Sequence, residues 1–170
     1  MDAYRLVRGG LIRLLEWALV VMVITITLDV LWGIVSRTLW GQAVYTDELA
    51  RVLLVWISML GGALAFARKA HLGVDYFVNK MHPDARKTLA VIVQCVTIAF
   101  AVVALMIGGF ALAQGQWTQK LPTMPWLTKG NVYAAVPIAG FFILMFSLEN
   151  LVSIIRTPAV QIGAQTQAEG

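Results

Sequence analysis

Two acidic side chains lie within the first long apolar run of the sequence, where carboxylates are costly and often functional. Glu16 lies near the start of the run and can pair with Arg13, one turn earlier, at the interface. Asp29 lies well inside, where a charge costs roughly 2.5–3.5 kcal/mol on insertion scales, so it must face protein or water. It could couple transport to a proton or cation, or it could hydrogen-bond a partner helix or reach an interfacial arginine. We favour the structural interpretation, because no second intramembrane charge lies beside Asp29.

A second concentration of charge opens the next apolar run, in the stretch YTDELARVLLVWISMLGGALAFARKAHLGVD that covers residues 45–75. Asp47 and Glu48 occupy the positive end of the helix dipole, and Arg51 follows one turn later, at i+4 and i+3. The preceding loop is short, so Arg37 at the end of the first run can meet these carboxylates. We therefore predict a cluster of Arg37, Asp47, Glu48 and Arg51 at the rim of the membrane.

Small residues recur four positions apart within the same run. Ser58 and Gly62 form one such pair, and Gly61 and Ala65 form another. This spacing lets a second helix approach closely in lipid, where apolar burial provides no driving force for association. We expect this helix to pack against another one.

Metal, redox and enzymatic chemistry find little support in the sequence. His71 and Asp75 lie one helical turn apart after Arg68 and can hydrogen-bond to each other, but no third metal ligand lies nearby. Cys95 is the single cysteine, which excludes an internal disulfide and a C-x-x-C pair. The chain has no HExxH motif, no phosphate loop and no nucleophile with a visible base. We expect no enzyme activity, no cofactor and no metal.

Composition places these residues in an integral membrane protein. The 170-residue chain is 59% hydrophobic and 13% charged, and its mean hydropathy is +0.78, which is too apolar for a soluble domain. Continuous apolar runs predict four transmembrane helices, at about 14–35, 47–67, 87–113 and 131–155. Continuous runs disfavour a β-barrel, whose strands alternate. We predict an all-α fold with one membrane domain, residues 1–156, and a disordered cytoplasmic tail, 157–170.

Basic residues predict the orientation of these helices. Most lie before the first span, between spans two and three, or after span four: Arg5, Arg8, Arg13, Arg68, Lys69, Lys80, Arg86, Lys87 and Arg156. Since cytoplasmic loops carry the excess of Lys and Arg, both termini and the middle loop are predicted to be cytoplasmic. The net charge of +4 is then a topology signal, and we expect no nucleic-acid partner.

The middle loop contains a short amphipathic pattern, with Val74, Phe77, Val78 and Met81 on one helical face. We predict a surface helix at about 71–81 on the cytoplasmic side, since it is too short to span the membrane.

The second external loop, QGQWTQKLPTMPWLTKG, is the longest outward-facing segment. Trp117 and Trp126 suit the membrane interface. Together with Lys120 and Lys129 they make this loop the candidate contact for an external partner.

The central motif resembles the small membrane subunit of tripartite ATP-independent periplasmic (TRAP) transporters, the DctQ-type family. The shared features are the acidic pair, Arg51, Trp56, the Gly and Ala stretch, and basic residues followed by H-x-x-V-D. Further likeness extends to Arg37, to the Pro- and Trp-containing loop, and to the Tyr133 and Pro137 pair. Asp29 is not part of the family pattern.

The resemblance implies a multi-pass protein of the bacterial inner membrane that binds a large permease subunit. In such systems the large subunit holds the substrate and sodium sites and moves as an elevator, and the small subunit enlarges the immobile scaffold among membrane phospholipids. A periplasmic binding protein delivers an organic acid. On this chain, Asp47, Glu48, Arg51 and Trp56 would orient and pack the second span, and His71 and Asp75 would fix its cytoplasmic turn.

Two other functions compete with this one. A small four-helix exporter that acts as a dimer would use a membrane carboxylate near the start of span one, where Glu16 lies. The long second external loop, the middle amphipathic helix and the nearby Arg13 argue against it. A structural assembly factor with four spans would differ mainly in its partner.

Overall fold

The computed structural model describes residues 2–41, 45–68 and 83–156. Within these ranges the chain forms six α-helices and one π-helical segment. In chain order they are α1 (Asp2–Trp40), α2 (Thr46–Ala67), α3 (Pro83–Phe100), the π segment (Ala101–Gly108), α4 (Gly109–Gly115), α5 (Lys129–Tyr133) and α6 (Ala135–Arg156). The predicted surface helix at about 71–81, with His71 and Asp75, and the tail at 157–170 lie outside the described residues.

In the described part of the chain, four helical stretches are long and apolar enough to cross a membrane. They are Arg8–Leu39, Thr46–Ala67, Lys87–Gly115 and Lys129–Ile155. A helix can span hydrocarbon because it satisfies its own backbone hydrogen bonds. The prediction of an all-α membrane protein is confirmed.

The first helix is peripheral. α1 packs mainly against α2, and the α2-facing stripe includes Leu15, Leu19, Met22, Asp29 and Gly33, all buried or half-buried. These positions are three, four or seven apart, which keeps them on one side of a helix that packs along its neighbour. Most other large apolar side chains of α1 are exposed. The remaining surface of α1 is therefore open to lipid or to another polypeptide.

The centre of the bundle is built from small residues. Ala63 of α2, Ala101 of the π segment and Ala139 of α6 are fully buried in one cluster. Next to it, a Cβ atom added to Gly140 would lie 2.7 Å from the Cβ of Leu105. Small side chains thus let three helices approach closely, as expected for packing in lipid.

Candidate subunit interface

Arg8 joins three helices at the end of the bundle that carries the N-terminus, called here the terminal end. Its Nε lies 3.0 Å from Oε1 of Glu149 on α6. Its Nη2 donates a hydrogen bond to the carbonyl oxygen of Ala67 at 3.0 Å. The last carbonyls of a helix lack partners within the helix, and they favour a positive charge. Arg8 therefore caps α2 and links it to α1 and α6.

Glu16 is engaged by α2 at the same end. Arg68 donates from Nη2 to Oε1 of Glu16 at 2.7 Å. The sequence suggested a local pair with Arg13, and the structure instead pairs Glu16 with a residue across the helix seam. The antiparallel packing of α1 and α2 brings Arg68 to Glu16, which sequence spacing alone does not reveal.

The opposite end of the bundle, called the loop end, contains most of the predicted rim cluster. Arg37 at the end of α1 forms an ion pair with Asp47 in the first turn of α2, and both side chains are largely exposed. Glu48 accepts a hydrogen bond from the backbone N–H of Thr123 at 2.9 Å. Arg51 is exposed and forms no ion pair within the described ranges. The four residues therefore do not form one cluster. Arg37 and Asp47 pair with each other, Glu48 contacts the loop, and Arg51 is exposed.

The loop between α4 and α5 is compact. Backbone hydrogen bonds from Leu121 N–H to Leu127 oxygen (3.0 Å) and from Lys129 N–H to Gln119 oxygen (2.8 Å) fold it back on itself. Leu121 and Met124 are buried beneath it. A loop with several internal backbone hydrogen bonds and two buried apolar side chains holds a defined shape.

The four predicted docking residues of this loop differ in their surroundings. Trp117 and Trp126 are 56% and 73% exposed. The ammonium group of Lys129 donates to the Gln119 side-chain oxygen at 3.0 Å. Lys120 is exposed and pairs through its backbone with Thr128. The loop thus presents two aromatic rings and two basic side chains on a fixed frame.

One face of α2 has no neighbour in the described chain. It consists of Arg51, Leu54, Ser58, Gly62 and Ala65, and is called here the open α2 face. All but Gly62 are exposed, and a Cβ atom added to Gly62 would meet nothing within 4 Å. These positions are three or four apart, so they lie along one side of the helix.

The other predicted packing residues of α2 lie elsewhere. Gly61 beside the open α2 face also has free space around it. The family resemblance grouped Trp56 with these packing residues. In the structure Trp56 packs within the bundle, against a cluster that includes Leu15 and Phe146. The small residue that α2 buries in the bundle centre is Ala63, which the sequence did not single out.

Asp29 lies at the seam of α1 and α2 in the half of the bundle nearer the loop end. The residue is half-buried, and its Oδ2 is buried without a hydrogen-bond partner among the described residues. Within those residues there is also no group of three or more His, Cys, Asp or Glu side chains that could hold a metal ion. Asp29 therefore has one carboxylate oxygen that no donor of the described residues satisfies.

Residues 26–157 match the family described as tripartite ATP-independent periplasmic transporters, DctQ component. The chain belongs to the DctQ family. This DctQ protein is a transporter component and not an enzyme, and its four apolar helices fit a multi-pass protein of the inner membrane. The matched range contains Asp29, α2, the loop and all of α6.

Curated relatives agree with this assignment. The DctQ protein is 25% identical over 126 residues to the sialic acid TRAP transporter small permease protein SiaQ of Vibrio cholerae, covering 74% of this chain and 72% of SiaQ. It is 28% identical over 116 residues to a putative TRAP transporter small permease protein of Haemophilus influenzae, and the match covers 65% of this chain and 67% of that protein. It also matches the permease protein SiaT of Haemophilus influenzae, 23% identical over 133 residues, or 78% of this chain but 21% of SiaT.

Proposed function

We propose that this chain is the small scaffold subunit of a TRAP transporter, and that it binds and stabilises a large elevator-type permease subunit. The complex takes up an organic acid with sodium, and a periplasmic binding protein delivers the substrate. The termini lie in the cytoplasm, and the loop end faces the periplasm. Membrane phospholipids surround the remaining apolar surface.

The open α2 face is the observation that carries this proposal. Small side chains at Ser58, Gly62 and Ala65 are used by membrane helices for close approach, yet no helix of the described chain uses them. A second polypeptide is the natural occupant. The SiaT match supports a large permease in that role, because in SiaT a segment like this chain forms about a fifth of a longer permease protein.

Glu16 supports a subunit over a self-sufficient exporter. An exporter needs a carboxylate that is free to exchange a proton or cation, but Arg68 holds Glu16 at 2.7 Å. Asp29 is the other carboxylate of the span Arg8–Leu39, and among the described residues it belongs to no group of three or more His, Cys, Asp or Glu side chains that could hold a cation.

The compact loop is the proposed contact for the periplasmic binding protein. Residues 109–133 contain Lys120 and Lys129 and no acidic residue. Positive charge favours encounter with an acidic surface, and exposed Trp side chains often form the centre of an interface. Trp117 and Trp126 would provide those aromatic contacts.

Purification in mild detergent tests the proposal. The tagged chain should bring the large permease with it in equimolar amount, and liposomes should take up the organic acid only when both subunits and the binding protein are present. A purified homodimer that transports cations alone would overturn the proposal in favour of the exporter.

A matched pair of substitutions tests the open α2 face. Ala65→Leu places a larger side chain on that face, whereas Ala99→Leu makes the same change at an exposed position of α3. Ala65→Leu should lower the yield of the complex, and Ala99→Leu should not. Equal yields from both variants would show that the permease binds elsewhere.

A further inference from the structure

A groove with a volume of about 470 Å³ opens on the surface of the bundle where α4 lies against α6. Its lining consists of Met106, Ile107, Phe110, Ala111, Gln114 and Pro137. The volume lies within the ~300–1,000 Å³ that is typical of small-molecule sites. All of the lining residues except Gln114 are apolar, and all lie within the spans Lys87–Gly115 and Lys129–Ile155. A ligand of this groove must therefore be apolar over most of its bound length.

Helix packing fixes the position of the groove. A Cβ atom added to Gly109 would lie 2.8 Å from Cγ1 of Val136 and 3.0 Å from Cδ of Pro137, so α4 and α6 touch at this point. The side chains of Ile107 and Phe110, on either side of Gly109, are 63% and 59% exposed. The two helices are therefore held together beside the groove, and exposed apolar side chains line it.

Polar groups follow the groove toward the loop end. Gln114 lines the groove and lies one residue before the end of the span Lys87–Gly115. Across from it, Tyr133 and Lys129 precede Pro137 by four and eight residues, a spacing that keeps them on one side of a helical stretch. Lys129 begins the span Lys129–Ile155 and is exposed, about 12 Å from Pro137 along the helix axis. From the membrane interior to its rim, the order is therefore apolar, neutral polar and positively charged.

The contact of α5 with the end of α4 holds Lys129 at this level. The backbone N–H of Gly130 donates to the Gln116 carbonyl oxygen at 3.1 Å, and a Cβ atom added to Gly130 would lie 2.7 Å from Cε3 of Trp117. The Lys129 ammonium group donates to the Gln119 side-chain oxygen at 3.0 Å. An ammonium group has three donors, so it can bind an anion in addition to Gln119.

Phospholipids carry the same order of groups, with acyl chains in the hydrocarbon, esters at its edge and a phosphate beyond. We propose that this groove binds one acyl chain of a phospholipid in the leaflet at the loop end, where Gln114 donates to an ester oxygen and Lys129 binds the phosphate. Every phospholipid places a phosphate at this depth, whereas a protein helix would need an acidic side chain there. The inference goes beyond the proposed function and does not depend on it.

Charge predicts which headgroup binds best. Residues 109–133 contain two lysines and no acidic residue. A basic residue at the membrane surface attracts anionic lipids. Phosphatidylglycerol should therefore bind to this site more tightly than phosphatidylcholine.

Photolabelling tests the position of the lipid. Phosphatidylglycerol with a diazirine in one acyl chain is added to the full-length subunit in nanodiscs, alone and in complex with the permease, and the labelled peptides are identified by mass spectrometry. Peptides covering 106–114 should be labelled several-fold more than peptides covering 28–35, where Leu28, Leu31 and Ile34 are exposed apolar residues near the same rim.

Equal labelling of the two regions would mean that the groove meets only bulk lipid, and it would overturn the proposal. Labelling that is present in the isolated subunit and lost in the complex would show that the permease covers the groove. That result would also overturn the proposal, although it would support the proposed function. The isolated subunit is measured whether or not a permease is found, so the two proposals fail separately.

Substitution of Lys129 tests the headgroup contact. Lys129→Gln should weaken phosphatidylglycerol binding about fivefold, measured by native mass spectrometry of the subunit with added lipid. Lys129→Arg keeps the charge and should retain the lipid. Lys120→Gln removes a charge elsewhere in the compact loop and should have little effect. Equal losses from Lys129→Gln and Lys120→Gln would show a general attraction to the loop and would overturn the site.

Filling the groove tests the acyl-chain contact. Ala111→Phe places a ring in the groove, whereas Ala99→Phe adds the same ring at an exposed position of α3 outside it. Ala111→Phe should lose most of the bound phosphatidylglycerol and Ala99→Phe should not, while both unfold at the same temperature. Undiminished lipid binding by Ala111→Phe would overturn the proposal.

Discussion

Glu48 accepts a hydrogen bond from the backbone N–H of Thr123 at 2.9 Å, although 75 residues separate the two. The contact links the first turn of α2 to the compact loop between α4 and α5. That loop carries Trp126 and Lys120, the proposed contacts for the binding protein. The Glu48 carboxylate at the start of α2 therefore helps to position the compact loop, which connects two later helices of the chain.

Replacing Glu48 should loosen the loop. In Glu48→Ala the Thr123 amide loses its acceptor, and a hydrogen bond to a charged group contributes about 1.5–3 kcal/mol. We expect hydrogen exchange in peptides covering 119–127 to become about tenfold faster or more, measured by mass spectrometry in detergent. Asp47→Asn is the control, because Asp47 pairs with Arg37 and not with the loop. Equal exchange in wild type and Glu48→Ala would show that the loop does not depend on this contact.

The close approach of α6 to the π segment gives a second prediction. An alanine at position 140 would bring its Cβ to 2.7 Å from Leu105 Cβ, so the helices must separate. Overpacking of this kind costs about 1–3 kcal/mol, and the unfolding temperature of the isolated subunit should fall. Gly62→Ala makes the same chemical change where nothing lies within 4 Å, and it should leave that temperature unchanged or raise it, because Ala favours a helix more than Gly does. A Gly140→Ala variant as stable as Gly62→Ala would contradict the packing.

The charge of the compact loop gives a third prediction. If the loop attracts an acidic surface of the binding protein, Lys120→Glu should slow association with the complex, and the difference should shrink as salt rises. Surface plasmon resonance on the reconstituted complex measures both effects. Arg13→Glu, at the terminal end, should not change the association rate. An association rate that is independent of Lys120 and of salt would rule out electrostatic docking at this loop.

The four helices could be predicted from the sequence because their apolar runs are long and uninterrupted, and lipid admits only elements that satisfy their own backbone. The sequence does not predict which face of each helix is buried. In a membrane protein, positions that face lipid are as apolar as positions that face protein. In α1, for example, Leu15 is buried and its neighbour Leu14 is exposed, although both are leucines.

Small residues were equally ambiguous. Ala63 is buried inside the bundle, whereas Ala65, two positions later, is exposed on the open α2 face. Spacing indicates that a helix can approach, but it does not say whether that helix belongs to the same chain. Ion pairs likewise depend on which helices are neighbours, and spacing along the chain does not give this. Local spacing suggested Arg13 as the partner of Glu16, whereas the packing of α1 against α2 brings Arg68 to it.

Arg8 gives the last prediction, because it joins α1, α2 and α6 through one side chain. Arg8→Gln should leave the Glu149 carboxylate unpaired and the Ala67 carbonyl without its donor. The Arg8 and Glu149 side chains are only 33% and 21% exposed, so the loss should exceed the ~0–1 kcal/mol of a surface pair. Thermal unfolding of the isolated subunit in detergent measures the loss. Arg13→Gln, at an exposed residue with no ion pair in the described ranges, is the control.

The double variant Arg8→Gln with Glu149→Gln identifies the source of that loss. Removing both charges should be less harmful than removing Arg8 alone, because no uncompensated carboxylate then remains at a partly buried site. Some destabilisation should persist, since the Ala67 carbonyl still lacks its charged donor. If the double variant is instead as unstable as the sum of the two single variants, the two side chains act independently and the ion pair does not hold the helices together.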